Sequence, residues 1–243
     1  MIERIYIPTV RRADNQITYD NLPDELKERV IMVVEPDERS LYNYPCDYLE
    51  IPQKLVGTWT QLAETRLFIH KHAGTIKYCI ADDDIIIGRR NAKTWTGESN
   101  MEKSRRVATK EEVSTAFEIM DKWLDEKDIG ITGFSNSGQP PPNTEYLDTV
   151  GCFSIIMVDG RMVSKIIDDI NVTELRTGED ILFLFECLSR GINTRLSIEW
   201  LHDNKSMSSY KTMKDSRIVW TEMYAKDEEI PSMEEIYQND HNQ

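Results

Sequence analysis

Val30-Ile31-Met32-Val33-Val34 is a continuous apolar run of strand length, closed abruptly by Glu35-Pro36-Asp37. A short run dominated by β-branched residues suits a strand covered on both faces, and such strands belong to parallel sheets with helices on either side. The flanking sequence agrees. Residues 3–8 form a short strand that ends at Pro8, and residues 23–29 a short helix with Asn21 as its cap. Residues 48–52 are a second short strand. Residues 58–73 are a helix with Leu62, Leu67 and Ile69 on its apolar side and Gly74 as its stop. Residues 77–81 are another apolar strand, running into Asp82-Asp83-Asp84. Strand, helix, strand, helix, strand is the order of a parallel sheet with crossover helices.

The second half is mixed. Val113, Phe117, Met120 and Leu124 stand at helical spacing within 109–125. Residues 133–143 read as loop, 152–158 as a strand, 179–190 as a helix stopped by Gly191, and 194–200 as a last strand followed by Leu201-His202-Asp203. The pattern predicts one α/β domain over residues 1–225, with a mostly parallel central sheet flanked by helices, and an acidic tail over 226–243.

Composition narrows the function. A chain of 243 residues with 40% hydrophobic and 30% charged side chains is not disordered throughout. Its net charge of −14 argues against a protein that coats nucleic acid non-specifically, and leaves room for an enzyme with one local basic surface. No run of about 18 apolar residues exists, and the N-terminus lacks a signal-peptide core, so no membrane association is expected. The four cysteines, Cys46, Cys79, Cys152 and Cys187, form no CxxC pair. Buried thiols in a reducing, cytoplasmic setting are the expectation. GxSxG, P-loop and Gly-rich dinucleotide motifs are absent from the sequence, against hydrolase, ATPase and dehydrogenase readings.

The sharpest chemical feature is the Asp82-Asp83-Asp84 triplet. Taken alone, an Asp triplet is more often an acidic turn facing water. At the carboxyl end of a strand in an open α/β sheet, where ligands bind, three mutually repelling carboxylates point to a divalent cation of the Mg²⁺ or Mn²⁺ type that bridges to phosphates. Glu179-Asp180 opens a helix, where acids ordinarily serve as caps. His202, beside Trp200, reads by itself as a packed core residue. His70 and His72 point to different faces of one helix and make a poor metal pair. Trp59 and Trp123 read as packing residues, and Ser135-Asn136-Ser137-Gly138 as a surface loop able to face an acceptor.

The order of these pieces resembles the GT-A class of nucleotide-sugar glycosyltransferases, over roughly residues 3–205. The resemblance rests on Ile5-Tyr6-Ile7-Pro8-Thr9 followed by Arg11, on Val33-Val34-Glu35-Pro36-Asp37, on Arg66, on the DxD-like triplet, on Glu179-Asp180 and on His202. It implies that Pro8, Thr9, Arg11, Glu35, Arg66, Asp82 and Asp83 border the donor nucleotide, with Asp82 on the ribose side. It implies that Asp84 and His202 hold Mn²⁺ or Mg²⁺, and that Asp180, with Glu179 beside it, is the catalytic base. The short chain, the Ile-Pro-Thr-Val-Arg-Arg opening and the triple Asp are similar to the phage and base-J-associated DNA glycosyltransferases, also called TET-associated glycosyltransferases. That similarity implies transfer of a hexose or pentose, from a UDP-sugar by first choice, to hydroxymethylated pyrimidines in DNA. A GT-A enzyme acting on protein, lipid or polysaccharide, or a GT-A-like domain that only binds nucleotide, is the alternative.

Residues 86–110 carry Arg89, Arg90, Lys93, Lys103, Arg105, Arg106 and Lys110 against Glu98 and Glu102, with Trp95 among them. In view of the resemblance, Arg89, Arg90, Trp95, Arg105 and Arg106 are candidates to hold a phosphate backbone and an extruded base. A solvated loop, or a clamp on the donor diphosphate, is the plainer reading of the same charges.

Overall fold

The computed structural model describes residues 1–58, 60–90, 105–137, 144–172 and 178–205. The apolar runs behave as their composition dictates. β1 (Arg4–Pro8), β2 (Val30–Val34) and β4 (Lys77–Ala81) lie side by side in parallel, β1 in the middle. Their residues alternate between two cores, because successive side chains of a strand point to opposite faces. Ile5, Ile7, Met32, Val34, Cys79 and Ala81 enter one core, and Tyr6, Ile31, Val33, Tyr78 and Ile80 enter the other.

The first core is closed by α4 (Lys110–Trp123), through Val113, Ala116, Phe117 and Met120. A capping box opens this helix: the Thr109 hydroxyl accepts from the Glu112 N–H, and the Glu112 carboxylate accepts from the Thr109 N–H. The second core is closed by α3 (Gln61–Ala73) and α6 (Glu179–Ser189), which contribute Ala63, Ile69, Phe183, Leu184 and Cys187. The short helices α1 (Ile17–Asn21), α2 (Asp24–Lys27) and α5 (Gly160–Val163) complete the layers.

Among the described residues the sheet has ten strands. The others are β3 (Asp47–Glu50), β5 (Ile85–Arg90), β6 (Arg105–Val107), β7 (Ile129–Asn136), β8 (Tyr146–Asp148), β9 (Ile155–Asp159) and β10 (Asn193–Asn204). The order is β3-β2-β1-β4-β9-β7-β10-β5-β6, with β8 pairing β10 off this path. β5, β8 and β9 run against the remaining strands, so the sheet is mixed and mostly parallel. Among the described residues no helix is long and apolar enough to cross a membrane. The proposed boundary at residue 225 and the acidic stretch beyond it lie outside the described residues, as does Trp59.

Several sequence expectations need correction. Asn21 is not a cap but the last residue of α1, and Pro23 stands at the N-cap of α2. Residues 133–136 are not loop but the end of β7. Gly133 is glycine there because an added Cβ would stand 2.9 Å from the Cys152 Cβ. The basic stretch is not a loop at either end: β5 and β6 pair antiparallel, Arg89 opposite Arg106. The last strand runs four residues past Trp200, so His202 lies within β10, opposite Ile87 of β5.

Gly160 marks the tightest backbone approach. A Cβ there would stand 2.3 Å from the Gly74 carbonyl oxygen and 2.4 Å from that of Ile76, both backbone atoms that cannot rotate away. Gly160→Ala is therefore expected to cost about 2–3 kcal/mol of stability, read as a lower urea midpoint at unchanged m-value.

Candidate active site

The parallel pairing of β1 and β4 brings their carboxyl ends together, which places Thr9 beside the Asp triplet. Thr18 of α1 moulds the turn after β4. Its hydroxyl donates to the Asp82 carbonyl at 2.5 Å and accepts from the Ile85 N–H at 2.8 Å, while its own N–H donates to the Asp83 carbonyl at 3.0 Å. Two further backbone bonds hold the triplet: Asp82 N–H to Ser154 O at 2.8 Å, and Lys205 N–H to Asp84 O at 3.0 Å.

The three carboxylates then diverge. Asp82 accepts from Arg66 Nη2 at 2.8 Å, and the same guanidinium lies 3.2 Å from the Glu179 carboxylate through Nε. Asp83 turns inward and is only 8% exposed. It accepts from Thr9 Oγ1 at 2.7 Å and Arg12 Nη1 at 2.5 Å. Burial pushes its pKa up to about 6, against the lowering effect of Arg12 and Thr9. The chain of bonds continues outward, because Gln16 Nε2 donates to Thr9 Oγ1 at 2.8 Å and to the Arg12 carbonyl at 2.9 Å. Asp83 thus fastens the loop after β1 to the end of β4. Asp84 meets Asn204 Nδ2 at 3.4 Å and Arg12 Nη1 at 3.7 Å. His202 is buried with Nδ1 3.1 Å from Asn204 Oδ1, and burial lowers its pKa below the ordinary histidine value.

Among the described residues no group of three or more His, Cys, Asp or Glu side chains is placed to hold a metal ion. The donor chemistry at this strand end, carboxylate from Asp84 and imidazole from His202 joined through one amide, suits a cation that completes its shell with water and phosphate oxygens.

The other expected residues divide. Arg66, Glu179 and Asp180 come together at one crevice. Glu179 is buried beside Arg66, and burial raises its pKa. Asp180 is half-buried and accepts from the Ile181 N–H at 2.8 Å, which satisfies one donor of its helix's first turn; Gly178 holds the N-cap position. Gly178, at φ 83°, makes the turn into that helix. Arg11 holds a left-handed φ of 56°, its N–H on Glu38 at 2.8 Å. Glu35 accepts from Gln61 Nε2 at 2.5 Å, which ties the end of β2 to α3. Pro8 lies in the ladder opposite Val33.

The basic candidates are less available than their sequence suggests. Arg89 is held by Glu112 and Glu199, and Arg106 by Glu112. Arg90 is buried with Nε on the Ile198 carbonyl at 2.8 Å. Arg105 lines an open cleft with Arg106, Ser137, His202 and Lys205. Trp95, Lys93 and Lys103 lie outside the described residues.

Arg12, Gln16, Thr18, Ser154 and Asn204 were not singled out by the sequence. Asn204 stands two residues after His202 and shares its face, a relation visible only once β10 is seen to run past Trp200.

His70 closes the inner wall of the crevice. Its ring stacks on Phe183 at 4.1 Å and its Nδ1 lies 2.5 Å from the Tyr78 hydroxyl. Burial pulls its pKa from 6.5 down to about 3, so it is neutral in the fold. A depressed histidine contributes stability that is complete above about pH 6.5 and is lost as the pH falls towards 3. His70→Phe keeps the stack and cannot titrate. Urea midpoints at pH 7, 5 and 4 should fall less steeply in this variant than in wild type, and parallel slopes would refute the assignment.

An α/β domain with a mixed sheet and carboxylates gathered at one strand end defines the class of this chain. The family model for TET-associated glycosyltransferases matches residues 3–195, and the chain belongs to that family. The matched span ends within β10, so His202 and Asn204 lie just beyond it. No curated protein matches the chain. Among solved structures, it resembles in outline the inositol-1-phosphate CTP transferase from T. maritima, at 10% identity over 88% of this chain and 94% of that one, with a TM-score of 0.46. It also resembles 4-diphosphocytidyl-2C-methyl-D-erythritol synthase from Anaerococcus prevotii, at 10% identity, 90% and 98% coverage and a TM-score of 0.49. A UDP-glucose pyrophosphorylase complexed with UDP-glucose gives 8% identity, 91% and 99% coverage and a TM-score of 0.49.

Proposed function

We propose that this glycosyltransferase moves a sugar from a nucleotide-sugar, a UDP-sugar by first choice, to the hydroxymethyl group of a modified pyrimidine in DNA. The observation that carries the reading is the Arg66 bridge. It joins Asp82 at the end of β4 to Glu179 at the start of α6, and so ties the Asp triplet to the crevice that Arg66, Glu179 and Asp180 line.

In this reading the loop after β1, fastened through Thr9, Arg12 and Asp83, borders the nucleotide, and Asp82 faces its ribose. Mn²⁺ or Mg²⁺, held by Asp84 and His202, would neutralise the charge that develops on the leaving nucleoside diphosphate. Asp180 accepts the proton of the acceptor hydroxyl as that oxygen bonds to the anomeric carbon and the bond from that carbon to the diphosphate oxygen breaks. Arg66 keeps Glu179 paired and leaves Asp180 as the carboxylate open to the acceptor. This role belongs to an inverting reaction; a retaining one does not need the base.

The acceptor has a second reading. Glu112 and Glu199 already occupy Arg89 and Arg106, which favours an acceptor that is not a polyanion, such as a protein, lipid or polysaccharide. One assay separates the two. Labelled nucleotide-sugars are incubated at low salt with unmodified and hydroxymethylated DNA, after a Mn²⁺ thermal-shift panel has chosen the donors. Label in the hydroxymethylated DNA alone supports the DNA reading. Label in neither, from donors that the enzyme hydrolyses, refutes that acceptor and leaves the transferase reading standing.

A further inference from the structure

We infer that Asn204 is a positioning residue that locks His202 as its Nδ1–H tautomer and so presents the Nε2 lone pair to a divalent cation; the cation half of this rests on the metal reading above. The backbone first fixes the reach. Asn204 pairs opposite Ile85, and the next N–H, of Lys205, donates to the Asp84 carbonyl at 3.0 Å, so the Asn204 side chain is delivered beside Asp84. Asn204 and His202 stand two apart on β10 and share a face of the strand.

The amide then has one sensible orientation. The Asp84 carboxylate only accepts hydrogen bonds, and it lies 3.4 Å from one end of the amide, with Ser154 Oγ at 3.3 Å from the same end. That end must be the NH₂ group, because the reverse orientation aims a carbonyl oxygen at a carboxylate. The carbonyl end is therefore the one 3.1 Å from His202 Nδ1. A carbonyl only accepts, so Nδ1 carries the hydrogen. The neutral ring has a single hydrogen on nitrogen, which leaves Nε2 as the lone-pair atom. The charge state of Asp84 thus dictates the tautomer of a histidine that it does not touch, through one amide. Free histidine favours the opposite tautomer, so the assignment is not the default. Metal-ligating histidines are commonly oriented in this way, by donating their other ring N–H to a carbonyl or carboxylate.

The test reads the tautomer directly. Long-range ¹H–¹⁵N spectra of the full-length protein, labelled at its four histidines and recorded at pH 8 without metal, are assigned with His202→Gln. Wild type is expected to show a protonated Nδ1 and a bare Nε2 at His202. Asn204→Ala should lose that preference. A protonated Nε2 in wild type, or an unchanged tautomer in Asn204→Ala, overturns the proposal. Mn²⁺ alone is then added. Selective broadening of the His202 resonances, with Mn²⁺ binding weakened roughly 10–100-fold in Asn204→Ala by electron paramagnetic resonance, supports both halves. The expected tautomer with no broadening at His202 keeps the role of Asn204 in setting the ring and removes His202 from the metal.

Discussion

Asp84→Ala is expected to lower sugar transfer roughly a thousandfold, the equivalent of about 4 kcal/mol of transition-state stabilisation, and to abolish the cation dependence of nucleotide binding. The reason is charge. A diphosphate approaching Asp82 and Asp84 is repelled unless a cation lies between them, and Arg12, 3.7 Å from Asp84, is already engaged by Asp83. The fold should survive, because the Asp84 backbone carbonyl still receives the Lys205 N–H and the turn is still held by Thr18. Calorimetry with UDP, with and without Mn²⁺, reads the effect on binding across wild type and variant, and labelled-sugar transfer reads the effect on rate. Equal wild-type affinity in EDTA would remove the metal assignment.

The second large effect is expected at Asp180. Asp180→Asn should fold and bind donor, yet transfer at least about a hundredfold more slowly. Asparagine keeps an acceptor oxygen, so the bond from the Ile181 N–H is kept while the basicity is lost. The neighbouring acid makes the contrast. Glu179→Gln removes the partner of Arg66, so it should disturb donor binding as well as rate. Steady-state measurement of kcat and KM for both variants separates the two roles. A near-normal kcat in Asp180→Asn would leave Asp180 as an acceptor for its helix's first turn only.

Much of the scaffold is legible in the sequence. β2 and β4 can be read to the residue because each is an apolar run ended by charge, and a strand buried on both faces needs that composition. α4 is legible from its periodicity and its capping box. β5 is not. Its sequence changes from Ile85-Ile86-Ile87 to Gly88-Arg89-Arg90, and the buried Arg90 donates to the carbonyl of Ile198, 108 residues away. No local signal announces such a partner. The end of β7 is hidden for a related reason: Gly133 and Ser135 look like loop residues, but close contact with Cys152 and the ladder to β10 impose a strand.

The site is legible as a place and not as a division of labour. Three adjacent, identical aspartates carry no mark of which turns inward. Their partners decide it, and those partners are Arg66 on α3, Thr9 and Arg12 after β1, and Asn204 on β10. The arginines of the basic stretch are legible as charges. Their carboxylate partners Glu112 and Glu199, on α4 and β10, are legible only in three dimensions.

The position of β10 also has a consequence for biosynthesis. This strand is the last described element in the chain, yet it lies inside the sheet, where it pairs with β7, β5 and β8. A nascent chain that has emerged only as far as α6 therefore holds three strands without their main partner, and each of them offers an open hydrogen-bonding edge to any neighbouring polypeptide. Ribosomal synthesis proceeds at about 5–20 residues per second, so the interval between α6 and the end of β10 is on the order of seconds. Asp84 and Arg66 are in place well before it ends, whereas His202 and Asn204 arrive with the final turn of the ladder. Closure of these edges is thus completed only when β10 pairs.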